Sequence, residues 1–303
     1  MSPVSMYSHI TANKRKTWVL IALFVVIIVV LGFAYDKTLG AGAGYGGVLI
    51  ASIIAVAMTL TSYYRGDRIA LWSSGARLVT KREAPALYRI VENLAITSGL
   101  QTPKVYIIQD PAINAFATGR DPTHASIAVT SGAIDRLTNE ELEGILAHEL
   151  AHVRNYDMRV MTIVVVLVGT IAIMSELLIR SHILSSRRDN REGSQFGLIL
   201  VVVGILLAIL APLAAELIKL AVSRKREFLA DADGAMLTRY PEGLAHALEK
   251  IAAANQPMLR ASTATAHLFI ANPFGNRKRR FARLFSTHPP IQDRIRILRS
   301  MSI

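Results

Sequence analysis

No cysteine occurs among the 303 residues of the chain. Its absence excludes disulfide bonds, cysteine-ligated metal and a cysteine nucleophile, so any metal must be held by histidine and carboxylate side chains. Acidic residues are few: 22 Asp and Glu stand against 34 Lys and Arg, and the formal net charge is +12. That charge would suit nucleic acid, but the sequence lacks a glycine-rich phosphate loop, a zinc finger and an RNA-binding aromatic motif. We therefore expect no nucleic-acid partner.

Uncharged stretches are abundant, because 52% of the residues are hydrophobic, a high share for a soluble protein. The first stretch runs from Trp18 to Tyr35, directly after Lys14, Arg15 and Lys16, and is long enough to cross the hydrocarbon core of a bilayer. Basic residues beside an apolar run fit the positive-inside rule. The alternative is a cleaved signal peptide, whose apolar region is usually about 7–15 residues long. The greater length favours an uncleaved membrane span.

A second uncharged run, Gly40 to Tyr64, follows after a short connection, so the two runs predict a helical hairpin in the membrane. The glycine-rich start of this run is a weak helix former, although small residues let membrane helices approach closely. Basic residues precede the first run and follow the second, at Arg65 and Arg68. The positive-inside rule then places both the N-terminus and the chain after Tyr64 in the cytoplasm.

Two further apolar runs, Val160 to Ser175 and Phe196 to Leu217, predict a second hydrophobic hairpin over residues 160–217. The segment between them carries four arginines, which the positive-inside rule disfavours in an external loop. A hairpin that is partly interfacial, or buried against protein, is the competing interpretation.

The remaining segments have the periodicity of a water-exposed domain. Helical spacing covers Glu83 to Leu100, and strand patterns cover Lys104 to Gln109, 113–119 and 125–132. Thr138 and Glu141 have the spacing of a capping box and predict a helix start. We expect the next helix to carry the motif His-Glu-Leu-Ala-His, residues 148–152.

This motif has the spacing of a catalytic metal site. Residues four apart lie on one face of a helix, so His148 and His152 can contact the same ion, while Glu149 projects beside it without binding. Zinc held in this way lowers the pKa of a water molecule and polarises a carbonyl, and a neighbouring carboxylate can take the water's proton. The surrounding residues are largely apolar, and buried histidines beside a carboxylate are costly unless something satisfies them.

Such a site needs a third protein ligand, and the segment Ser223 to Gly234 offers one. Glu227 can bind the ion. Asp231 lies on the same helical face four residues later and can accept a hydrogen bond that orients a histidine ligand. Asp233 is the alternative carboxylate in this segment. If residues 152 and 227 share one ion, they lie on the same side of the membrane. The segment between them then crosses the membrane an even number of times.

With these residues in view, the chain resembles the M48 peptidases, and within them the HtpX-like membrane zinc metalloproteases. The likeness covers nearly the whole chain and rests on two N-terminal spans, NAFATG, HELAH, a hydrophobic hairpin, SRKREFLADADG, and THPP before a basic C-terminal helix. It implies one Zn²⁺ per chain held by His148, His152 and Glu227, with Asp231 orienting a ligand. It also implies endopeptidase cleavage of misfolded or damaged membrane proteins in quality control.

The resemblance further implies an edge strand, Asn114-Ala115-Phe116, that lies along the substrate. An exposed strand edge can pair with an extended peptide through main-chain hydrogen bonds, which suits varied unfolded substrates. His288 of THPP is a candidate for donating to the developing oxyanion, and its alternative role is to position the C-terminal helix, since two prolines follow it.

The expected fold is an α-rich α+β multi-pass membrane protein with two helical hairpins and a zincin-like (gluzincin) catalytic domain that has a small β-sheet. We expect a basic segment and first hairpin in 1–64, the first part of the catalytic domain in 65–159, the second hairpin in 160–217, and the second part, with the third ligand, in 218–303. Glu149 is the expected general base and then proton donor, with the domain and both termini in the cytoplasm. The alternatives are a peptidase for one dedicated substrate, such as the CAAX type, and a non-catalytic membrane scaffold with a structural zinc.

Overall fold

The computed structural model describes residues 6–38, 45–167, 224–262, 264–275 and 289–301. The helices of this part are α1 (Met6–Thr38), α2 (Gly46–Ser73), α3 (Pro85–Ser98), α4 (Ser131–Arg136), α5 (Asn139–Arg154), α6 (157–167), α7 (Arg224–Thr238), α8 (Pro241–Ala254) and α9 (Ile291–Arg299). The strands are β1 (Ala76–Leu78), β2 (Lys104–Ile108), β3 (Ala115–Gly119) and β4 (Ala125–Thr130). The helix-rich α+β class is therefore confirmed. The second predicted hairpin beyond residue 167, and His288, lie outside the described residues.

Helices α1 and α2 pack side by side, and Asp36 fixes their relative position. Its carboxylate accepts hydrogen bonds from the backbone N–H groups of Gly47 at 2.7 Å and Val48 at 2.9 Å, which caps the N-terminus of α2. Helix α2 begins at Gly46, later than the predicted start at Gly40, and residues 39–44 lie outside the described part. It also continues to Ser73, beyond the predicted end of the apolar run.

Both helices present large apolar side chains to the outside. Within the described residues, one helix, Gly46–Ser73, is long and apolar enough to cross a membrane. Helix α1 contains the first predicted span and also leaves large apolar groups exposed. The exposed residues of the two helices include Trp18, Val19, Val26, Val30, Leu49, Ile50, Ile53, Val56 and Leu60. Exposed apolar surface of this extent needs an apolar partner.

The four strands form one mixed sheet in the order β1-β2-β4-β3. Strand β2 runs parallel to β4, whereas β1 and β3 are antiparallel to their neighbours, with Ala117 opposite Ile127 in the β3–β4 register. The predictions of β2, β3 and β4 are confirmed. Strand β4 ends at Thr130, two residues before the predicted end, because the short helix α4 begins at Ser131. β1 was not predicted, since three residues give no periodicity to read.

Helix α5 lies against this sheet and carries the histidine motif. Thr138 accepts a hydrogen bond from the N–H of Glu141, whose side chain accepts from the N–H of Thr138, so the predicted capping box is confirmed. The helix that starts here already contains residues 148–152, and the expectation that a following helix carries them was wrong. It ends at Arg154. Tyr156 then adopts a left-handed conformation (φ 59°), and α6 follows, so no unbroken helix joins the motif to the apolar run.

Helix α7 packs directly on the backbone of α5 at the motif. A Cβ atom placed on Gly234 would lie 2.9 Å from the backbone nitrogen of His148 and 3.2 Å from the carbonyl carbon of Ala147. Only a residue without a side chain allows this approach. The glycine therefore sets the distance between the helix with His148 and the helix with Glu227.

Gly234→Ala is accordingly expected to push α7 away from α5 and to cost about 1–3 kcal/mol of stability. Metal affinity should fall as well, because the two helices carry different donors. The thermal unfolding midpoint in detergent and a zinc competition titration measure the two effects. Gly46→Ala is the matched control, since its Cβ would meet no atom within 4 Å. Equal midpoints and affinities in the two variants would contradict the prediction.

Candidate metal and catalytic site

Three side chains from α5 and α7 bring their donor atoms together in the buried interior. The Nε2 atoms of His148 and His152 are 3.2 Å apart, and the Glu227 carboxylate lies 3.9 Å from the first and 3.5 Å from the second. Donors that bind a tetrahedral ion at about 2 Å are separated by about 3.3 Å. The three donor atoms, all within 4.8 Å of one another, therefore have the chemistry and spacing to hold a metal ion.

Carboxylates on the far side of each imidazole ring fix the direction in which it can bind. Asp231 Oδ1 lies 2.9 Å from Nδ1 of His148, and Asp157 Oδ2 lies 3.1 Å from Nδ1 of His152. A carboxylate at this position accepts the Nδ1 proton and leaves the Nε2 lone pair for an ion. Both rings thus present Nε2 toward Glu227, as ligation requires.

Arg294 from the C-terminal helix α9 supports this arrangement. Its guanidinium donates to both oxygens of Asp231, at 2.9 and 2.7 Å, and to the carbonyl oxygen of Ile270 at 3.1 Å. Arg294 and Asp231 are both fully buried. The bidentate pair holds Asp231 in the plane that His148 needs and ties α9 to the metal donors.

Glu149 occupies the position between the donors and the edge strand. Its side chain is 2% exposed, and Oε2 accepts a hydrogen bond from the backbone N–H of Ala117 at 2.8 Å. Burial raises the pKa of this carboxyl to about 8. A carboxyl whose proton is exchanged near neutral pH has the property required of a group that takes and returns a proton.

The neighbouring groups have pKa values shifted in different directions. Burial lowers the pKa of His148 to about 4, which keeps the ring neutral and able to bind metal. For His152, burial acts downward, but the hydrogen bond with Asp157 and the charge of Glu227 raise the pKa to about 9. Metal binding at His152 must therefore displace a proton. Burial alone would raise the pKa of Asp231, and Arg294 instead holds it at about 2.

Strand β3, which contains most of the predicted substrate strand, lies close to Glu149. Main-chain groups on its outer edge already form hydrogen bonds with other parts of the chain. The carbonyl oxygen of Ala115 accepts from the N–H of Ile270 at 3.0 Å, and the N–H of Gly119 donates to Thr162. Asn114 is buried and binds the backbone of Ala271 through both ends of its amide. In this conformation a peptide could pair with β3 only after these contacts open.

The two other residues at the start of the strand face the interior. Phe116 is fully buried and packs edge-on against Phe269, with ring centroids 4.9 Å apart. Ala115 is equally buried. The two side chains point to opposite faces of the sheet and belong to two separate apolar clusters.

Sequence reasoning missed four residues that contact the histidines or their carboxylate partners: Arg294, Asp157, Asn13 and Arg226. A signal existed for Arg294, because it lies on the same helical face as Ile291, Ile295 and Leu298, and an arginine within an apolar stripe indicates a buried partner. The sequence gave no comparable signal for Asp157, since acidic residues are common near the start of a helix.

Known proteins are similar to this chain over most of its length. The model of the family described as Peptidase family M48 matches residues 81–302. A protein named Protease HtpX homolog from Dictyoglomus thermophilum is 47% identical over 99% of this chain and 96% of its own length. Proteins of the same name from Tropheryma whipplei (46%, covering 98% of each chain) and Caldanaerobacter subterraneus (41%, covering all of each) are also similar.

Among solved structures, the crystal structure of S. mikatae Ste24p has a TM-score of 0.48 and 15% identity with this chain. The match covers 95% of this chain and 66% of that one.

Proposed function

We propose that this chain, which belongs to peptidase family M48, is a membrane-bound zinc endopeptidase that cleaves misfolded or damaged membrane proteins. The observation that carries the proposal is the buried cluster of His148, His152 and Glu227 beside the buried carboxyl of Glu149. A structural metal site does not require a proton-accepting side chain next to the donors, whereas a catalytic site does. The close relatives named above are proteases by name, in agreement with this chemistry.

The proposed roles follow from the positions of the side chains. Zinc bound by the three donors would supply a Lewis acid that polarises the scissile carbonyl and lowers the pKa of the attacking water. Glu149 takes a proton from that water as the water oxygen bonds to the carbonyl carbon, and gives the proton to the amine nitrogen as the C–N bond breaks. Asp231 and Asp157 hold the rings of His148 and His152.

We further propose that α1 and α2 cross the membrane as a hairpin and that the site faces the cytoplasm. Their exposed apolar side chains support the first part. For the second, the ammonium group of Lys14 lies 4.6 Å from the ring centre of Tyr156, so the basic start of α1 is at the same end as the metal donors. The positive-inside rule assigns that end to the cytoplasm. Because His152 and Glu227 meet, the segment between them must also return to this side.

Unfolded segments are the proposed substrates because main-chain pairing with β3 selects for extended backbone and not for particular side chains. Pairing along the outer edge requires that the contacts of Ala115 with Ile270, of Ala117 with Glu149 and of Gly119 with Thr162 be released. A folded protein cannot offer a free extended segment to that edge. A misfolded or dislocated membrane protein can.

The test is cleavage of an unfolded membrane protein by the purified full chain in detergent. We expect cleavage with zinc, loss of cleavage after treatment with a chelator, and recovery when zinc is returned. A folded, rigid protein of similar size serves as the control substrate and should remain intact. Cleavage that continues in the chelator would overturn the metal-dependent mechanism, and cleavage of the folded control would overturn the proposed selectivity.

A further inference from the structure

The N-terminal helix contributes one buried amide to the surroundings of the metal donors. Asn13 is 3% exposed, and its Nδ2 donates to Asp157 Oδ1 at 2.8 Å and to the carbonyl oxygen of Asn155 at 2.8 Å. Its Oδ1 accepts from Nη1 of Arg226 at 3.1 Å. Both N–H groups and the oxygen of the amide are therefore engaged. Asn13 is buried although the next three residues, Lys14 to Lys16, are exposed.

Asp157 connects this amide to a metal donor. Its Oδ1 accepts from Asn13 and, at 3.0 Å, from Arg226, while its Oδ2 lies 3.1 Å from Nδ1 of His152. The two oxygens cannot move independently, because they belong to one planar carboxylate. Donors on Oδ1 consequently fix the direction in which Oδ2 meets the imidazole, and with it the direction of Nε2.

Asn13 forms hydrogen bonds next to both helices that carry the metal donors, α5 and α7. On one side it binds the turn that follows α5, through Asn155 and Asp157. On the other it binds Arg226, which directly precedes the donor Glu227 in α7. One side chain of α1 therefore bridges the two helices whose donors must converge on one ion.

We propose that Asn13 is a positioning residue of the metal site. The N-terminal helix then helps to orient a metal ligand in addition to its proposed place in the membrane. Asn13 acts by holding Asp157, and through it the ring of His152. The inference rests on the proposed function in one respect, that the cluster of His148, His152 and Glu227 binds a metal ion. It follows that displacement of α1 loosens the metal site without any change in the donors themselves.

The first experiment compares Asn13→Ala with the matched control Asn93→Ala, an exposed asparagine on α3, in the full chain in detergent. Zinc affinity is measured by competition with a chelator, and Co²⁺ replaces zinc to give a visible absorption spectrum of the site. We expect Asn13→Ala to bind zinc about tenfold more weakly, at the lower end of the loss typical for a ligand's own partner because Asn13 acts through Asp157, and to alter the cobalt bands. The control should match the unchanged protein in both. Unaltered affinity and spectrum in Asn13→Ala would overturn the inference.

A second experiment exchanges the two side chains. Asn13→Asp places a carboxylate against Asp157, and Asp157→Asn places an amide against Asn13, so each single variant should bind zinc more weakly. In the double variant Asn13→Asp with Asp157→Asn, the amide at 157 can donate to position 13 and still accept from His152, whereas the contacts with the carbonyl oxygen of Asn155 and with Arg226 at Oδ1 of position 157 stay lost. We expect the double variant to bind zinc more tightly than either single variant but more weakly than the unchanged protein, which a general packing role for Asn13 would not produce.

The outcomes distinguish failure of the proposed role of Asn13 from failure of the proposed function. A folded double variant that binds no better than the single variants would overturn the role of Asn13; if the double variant does not fold, the comparison of Asn13→Ala with Asn93→Ala decides. If the unchanged protein binds neither zinc nor Co²⁺, the proposed function fails instead. If it binds both ions and the Asn13 variants bind them equally well, only the inference fails.

Discussion

Replacing Glu149 with glutamine is expected to lower the rate of peptide cleavage by about 10²–10⁴-fold while the metal stays bound. The substitution keeps the size of the side chain and an oxygen that can accept the N–H of Ala117, now at 2.8 Å from Oε2. It removes the ability to take a proton from water and return it to the leaving amine. The three donor residues are untouched, so the metal content per chain should equal that of the unchanged protein.

The measurement pairs the cleavage rate with metal content determined by atomic spectroscopy on the same preparation. Glu140→Gln is the matched control, because Glu140 lies on the same helix but is exposed. It should retain full activity and full metal content. Cleavage by Glu149→Gln at the original rate in a preparation free of other proteases would rule out the assigned role. Loss of metal in that variant would instead mean that Glu149 is itself a ligand.

Local features of the sequence indicated which side chains form the candidate metal cluster, because the geometry of His148 and His152 is set within a single helix. The spacing of His148 and His152 fixes one face of α5, whose start is marked by the capping box at Thr138. The third donor was identifiable from its motif and from the family resemblance. The strands β2, β3 and β4 were readable because their residues alternate or are continuously apolar.

The supporting contacts escaped prediction because they join distant parts of the chain. Asn13 and Asp157 are separated by 144 positions, and Arg294 and Asp231 by 63. No periodicity or short motif encodes such pairs, which exist only once the helices have packed. The turn at Tyr156 was missed for a related reason, since its left-handed conformation is imposed on a residue that has no intrinsic preference for it.

Arg294→Met is expected to produce the largest loss of stability of any single substitution considered. The variant leaves the Asp231 carboxylate fully buried without its cation. Breaking a buried pair in this way costs about 3–5 kcal/mol, which corresponds to a fall of roughly 10 °C in the unfolding midpoint for a domain of this size. The pKa of Asp231, held at about 2 by Arg294, should rise, because burial disfavours the charged form.

The control for this prediction is Arg296→Met, since Arg296 lies on the same helix but is 74% exposed. An exposed ion pair contributes little, so the midpoint of the control should stay within about 2 °C of the unchanged protein. The double variant Asp231→Asn with Arg294→Met removes both buried charges and should regain part of the lost stability. If Arg294→Met unfolds at the same temperature as Arg296→Met, the buried pair does not stabilise the fold. If it does unfold earlier but the double variant recovers nothing, the loss comes from the missing guanidinium contact with Ile270 and not from an unpaired carboxylate.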